Sequence, residues 1–76
     1  MDALSRRIRE LRLAHGWSQV ELAKEARIVP TVIWRAENGN GIRPFSLFKI
    51  AKALEVEPIE LAKLMMERLD GHDKAE

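Results

Sequence analysis

Apolar residues fall at helical spacing in five runs separated by short stretches rich in Gly, Pro, Asn and Ser, and the pattern predicts an all-α chain of five helices. The first runs from about Asp2 to His15. Leu4, Ile8, Leu11 and Ala14 line one face, Arg6, Arg7, Arg9 and Arg12 surround it, and Gly16 stops it. The second has the sharpest start signal. In Ser18-Gln19-Val20-Glu21 the Ser18 hydroxyl is placed to accept from the Glu21 N–H and the Glu21 carboxylate from the Ser18 N–H, which is a capping box. Val20, Leu22, Ala23 and Ala26 follow as its apolar set. Pro30 suits the first position of a third helix, where a missing N–H costs nothing, and Asn38-Gly39 ends it. Two helices of about eight residues joined by a turn of about three make a helix-turn-helix pattern at about 18–38.

The turn-rich loop "NGNGIRPF" (38–45) leads into a fourth helix, roughly Phe45 to Leu54, with Phe48, Ile50, Ala51 and Leu54 as expected core. The fifth begins after Glu57-Pro58 and is expected to end near Asp70-Gly71. That division gives one domain over 1–70 and a disordered tail over 71–76. Apolar residues of the fifth helix form two stripes, Ile59, Ala62, Met66 and Leu69 on one, Leu61, Leu64 and Met65 on the other. One stripe docks on the domain. The other, assigned to Leu61, Leu64 and Met65, is left over as the interface of a homodimer.

On the third helix, 100° per residue puts Ile33 and Ala36 on the buried side, with Val29 and Val32 flanking them. Thr31, Trp34, Arg35 and Asn38 then share the opposite side. A hydroxyl, an indole, a guanidinium and an amide on one exposed face suit base edges, thymine methyls and phosphates. The plainer alternative folds Trp34 back over a neighbouring helix as peripheral core.

Composition narrows the classes. A chain of 76 residues buries only about 60% of its unfolded surface, so its core is small. It has no cysteine, hence no disulfide and no Cys-based zinc site. The N-terminal "MDALSRRIRELR" has no apolar run and no stretch is long enough to span a membrane, so a cytoplasmic protein without a membrane partner is expected. The net charge of +1 hides an asymmetry: residues 1–54 hold ten Lys/Arg against five Asp/Glu, and residues 55–76 three against seven. A basic body suits a polyanion. Ser5, Ser18 and Ser46 sit near helix starts as natural caps, and His15 and His72 have no ligand or base partner at suggestive spacing. "NGNG" lacks the lysine and preceding strand of a nucleotide site. The expectation is therefore no enzyme, no metal, no cofactor and no small-molecule substrate.

Taken together, "IRELRLAHGWSQVELAKEARI", "IWRAENG" and "IAKALEV" resemble the Cro/repressor-type, or XRE-like, helix-turn-helix family of bacterial and phage transcription regulators, over about residues 6–61. The resemblance implies a compact five-helix, lambda-repressor-like DNA-binding domain that inserts its third helix into the major groove. It implies phosphate contacts from Ser18 and Gln19 at the start of the second helix, where free N–H groups and the positive dipole end favour an anion. It implies an internal salt bridge between Arg12 and Glu37, and backbone contacts from Asn38 and Arg43. Departures thin the base-reading set. Arg27 stands where the family often has Gly, Val29 where Ser or Thr caps, and Pro30 and Val32 where polar residues are frequent. Thr31, Trp34 and Arg35 remain as base readers.

These observations predict a dimeric, sequence-specific regulator of double-stranded DNA, most simply a repressor. The alternative is an interaction module of the same fold, antitoxin-like or an adaptor, whose protein partner docks on the Trp34 face.

Overall fold

The computed structural model of the chain describes residues 2–74, with side chains as far as Glu67. Five helices follow in order: α1 (Ala3–Ala14), α2 (Gln19–Ala26), α3 (Pro30–Glu37), α4 (Pro44–Ala53) and α5 (Pro58–Lys74). Local chemistry sets most of their boundaries. Asp2 caps α1, accepting from the Ser5 N–H at 2.8 Å. Both halves of the Ser18–Glu21 capping box are present, at 3.0 and 2.9 Å. All three prolines of the chain open a helix, where the ring replaces an N–H that would lack an intrahelical partner. Val29 and Arg43, which precede two of them, make no side-chain cap.

The main packing contacts close a ring: α1 meets α3 and α5, α2 meets α3 and α4, and α4 meets α5. Inside it lie Leu4, Ile8, Leu22, Ala23, Ile33, Ala36, Leu47, Ile50, Ala51, Leu54 and Leu61. Two polar links tie α1 to the ring from opposite sides. Buried Ser5 donates from Oγ to the carbonyl of Ala36 at 2.9 Å, and Arg7 pairs with Glu60 at 2.7 Å on the half-exposed surface. No described helix is long and apolar enough to cross a membrane.

Several expectations are corrected here. Leu61 is wholly buried and Leu64 and Met65 pack against the core, so Leu61 is no interface residue. Of the other stripe Ile59 and Met66 are exposed while Ala62 packs against the core; the side chain of Leu69 lies outside the described residues. Phe48, Val20 and Ala14 are exposed rather than core: the faces that α4, α2 and α1 bury are those of Leu47, Ile50 and Ala51, of Leu22, Ala23 and Ala26, and of Leu4, Ile8 and Arg12. Ser5 and Ser46 are not caps: Asp2 and Arg43 hold those positions. Helix α5 continues through Gly71 to Lys74, and residues 75–76 of the expected tail lie outside the described residues.

Arg27, in the turn between α2 and α3, takes a left-handed backbone with φ 59°. An L side chain is disfavoured there by roughly 1–2 kcal/mol, partly offset by the greater chain entropy glycine has when unfolded. Arg27→Gly is therefore expected to stabilise the fold by about 1 kcal/mol and to raise the thermal midpoint by roughly 4–8 °C. An unchanged midpoint would mean that the turn carries no strain.

Candidate nucleic-acid interface

Helix α3 is held from behind by α1 and α2, which bury Ile33, Ala36 and Glu37. The packing fixes the roll of the helix, and the remaining side of it carries Thr31, Trp34, Arg35 and Asn38, all exposed. Trp34 is 52% exposed and so does not close over a neighbouring helix as core. Val32 is half-buried at the edge, whereas Val29, expected to flank the buried side, is exposed.

Beneath this face lies a buried polar knot. Arg12 Nε and Nη2 donate to the two carboxylate oxygens of Glu37 at 2.7 and 3.0 Å, and Nη1 donates to the carbonyl of Trp17 at 2.8 Å. Gln19 Nε2 donates to Glu37 Oε1 at 3.3 Å. Glu37 thus joins the end of α3 to the end of α1 and the start of α2. The fork-to-fork geometry and the Gln19 amide give the carboxylate three donors, and no described buried side-chain N or O is left without a partner. The amide of Gln19 is oriented by this contact and keeps one N–H for an outside acceptor.

The start of α2 is less open than its position suggests. The Glu21 carboxyl is held below its ordinary range, first by the Ser18 backbone N–H and then by the Ser18 side chain. At neutral pH it is an anion seated on the N-terminus, where it compensates the helix dipole. A phosphate approaching Ser18 meets that charge. The stabilisation is present above the ordinary carboxylate range and is lost as the pH falls through the depressed folded value.

The other end of the face is different. Arg35 from α3 and Arg43 from the start of α4 border one groove of about 520 Å³, whose apolar lining includes Val32 and Ile42. Both arginines are exposed. Asn38 is partly committed: its Nδ2 donates to the Trp34 carbonyl at 2.7 Å, closing the C-terminus of α3 together with the Asn40 N–H, which donates to the Arg35 carbonyl at 2.9 Å. One amide N–H of Asn38 remains. The structure therefore gathers Thr31, Trp34, Arg35, Asn38 and Arg43 along α3 and its exit loop, with Gln19 and Ser18 at the α2 end. Sequence reasoning did not find the Arg35–Arg43 groove, because its two walls meet only after the 38–43 loop turns back. Nor did it find Ser5, whose position near a helix start reads as a cap.

The chain matches a protein family described as helix-turn-helix, over residues 8–61. The match takes in α2, α3 and the turn between them, the parts that build this face. No solved structure matches the chain.

Proposed function

The chain belongs to this helix-turn-helix family, of Cro/repressor type, and from that premise we propose that it is a sequence-specific regulator that places α3 in the major groove of double-stranded DNA. One observation carries the reading. The packing of Ile33, Ala36 and Glu37 turns Thr31, Trp34 and Arg35 outward together. Arg35 takes a guanine edge through its two-pronged guanidinium, and Thr31 and Trp34 pack on thymine methyls. Arg43 supplies the strongest phosphate contact, aided by the remaining N–H groups of Gln19 and Asn38. Ser18 contributes least, because the Glu21 carboxylate shares its site.

The protein acts as a homodimer in this reading, joined through the exposed Ile59 and Met66 side of α5 rather than through Leu61, and blocks transcription by occupying its operator. A two-fold dimer reads half-sites about 34 Å apart on one face of the duplex. Selection from a random duplex pool at about 0.15 M salt, with sequencing of the bound fraction, tests this. An enriched inverted repeat with half-sites one turn apart is expected. Enrichment of an asymmetric site removes the dimer, and no enrichment from a folded protein removes specific DNA binding. The exposed indole would then mark a protein-docking face, since exposed Trp and Arg also anchor protein interfaces, and Trp34→Ala would abolish that interaction.

A further inference from the structure

A groove of about 780 Å³ lies between the C-terminal ends of α2 and α4, on residues that DNA reading leaves unused. Its apolar lining is Trp17, Ala26 and Ala53. The indole of Trp17 is set by a stacked His15, with ring centroids 4.3 Å apart and planes 21° from parallel. His15 Nε2 in turn donates to the carbonyl of Leu54 at 3.1 Å, so the aromatic wall is fixed to both α1 and the end of α4.

Two features of this groove are costly to the isolated fold. Arg27 and Glu55, with φ 59° and 61°, are the two non-glycine residues of positive φ among the described residues, and both line it. Each occupies a left-handed position that glycine would take without strain, so each side chain is kept against a steric cost. The second feature is electrostatic. Lys49 and Lys52 sit three residues apart on α4, where like charges repel, and Arg27 faces the same groove from the end of α2. Among the described residues none of these three cations forms an ion pair; Lys49 lies 4.7 Å from the ring centre of Phe45 instead. Three cations beside a half-buried indole are complementary to carboxylates that flank an apolar side chain.

We infer that this groove docks an acidic segment of another protein, with its carboxylates on Arg27, Lys49 and Lys52 and an apolar side chain against Trp17. Glu25 and Glu55, also in the lining, repel carboxylates placed out of step and so set the register of the segment. The inference is independent of what α3 binds.

The chain has two tryptophans, so a Trp34→Phe variant leaves Trp17 as the sole reporter; Trp34 is exposed and its replacement spares the core. The probe is a peptide of three Glu-Glu-Leu repeats at low salt, with a Lys-Lys-Leu peptide as the control. A saturable change in Trp17 emission is expected with the acidic peptide alone, at a Kd no weaker than about 1 mM. Lys49→Glu with Lys52→Glu should weaken it about tenfold or more. Arg27→Gly should weaken it several-fold while raising the unfolding midpoint, which separates lost contact from lost fold. Backbone amide shifts of the unaltered chain at residues 25–27 and 49–55 give a second readout. No saturable response up to about 10 mM, or an equal response to the basic peptide, overturns the inference. So does a charge reversal that spares the peptide and instead weakens duplex binding, which would assign the cations to DNA.

Discussion

Glu37→Gln is expected to destabilise the protein by about 3–5 kcal/mol, although the two side chains have nearly the same shape. The carboxylate accepts from Arg12 twice and from Gln19 once, at sites where Arg12 and Glu37 are 9% and 4% exposed. Removing its charge leaves a guanidinium in the interior with no counter-ion. A chain of this length has about 4–11 kcal/mol of total stability, so the loss consumes a large part of it. Urea unfolding should show the midpoint falling sharply with little change in slope. The double variant Arg12→Met with Glu37→Leu should recover much of the loss, because it removes the desolvated charges together. Recovery stays incomplete, since the Trp17 carbonyl also loses the Arg12 Nη1 donor. A single-variant cost below about 1 kcal/mol would mean that the pair behaves as a screened surface bridge.

Replacing Arg35 by alanine has the largest expected effect on function. At the selected operator each half-site should lose about 1–3 kcal/mol, roughly five- to 150-fold in affinity per half-site, and relax the preference at one base pair. Affinity for unrelated duplex should change far less. Arg43→Ala is the contrasting measurement: it should weaken all sequences alike and lower the slope of log affinity against log salt by about one per bound protomer. The contrast matters because both guanidinium groups border one groove. If Arg35→Ala reduces the salt slope and leaves sequence preference intact, Arg35 is a phosphate clamp, and base reading falls to Thr31 and Trp34.

Family membership and the outward face of α3 were legible before any coordinates. The first rests on the resemblance of several motifs over about residues 6–61, the second on a 100° wheel read across eight residues with Ile33 and Ala36 as anchors. The Arg12–Glu37 pair, 25 residues apart in the chain, came from resemblance and not from spacing. What was missed involves groups far apart in sequence. Gln19 reads as a free phosphate donor until α3 brings Glu37 to its amide, and Ser5 reads as a cap until Ala36 brings a carbonyl to its hydroxyl.

Helix α5 shows where the division falls. Its amphipathic character is written in the positions of Ile59, Leu61, Leu64, Met65 and Met66, and so is the presence of two apolar stripes. Which stripe turns inward depends on the roll of the helix, set by the turn after Leu54 and by packing against α1 and α4. A one-residue difference in that turn rotates the helix by about 100° and would exchange the two. The sequence by itself therefore determined five helices, their starts and the outward face of α3, because caps, prolines and wheels act within a few residues. Only the tertiary structure decided that Leu61 is core and Ile59 and Met66 are surface. It alone brought Arg35 to Arg43 and Arg27 to Glu55, because those relations arise from how the helices pack.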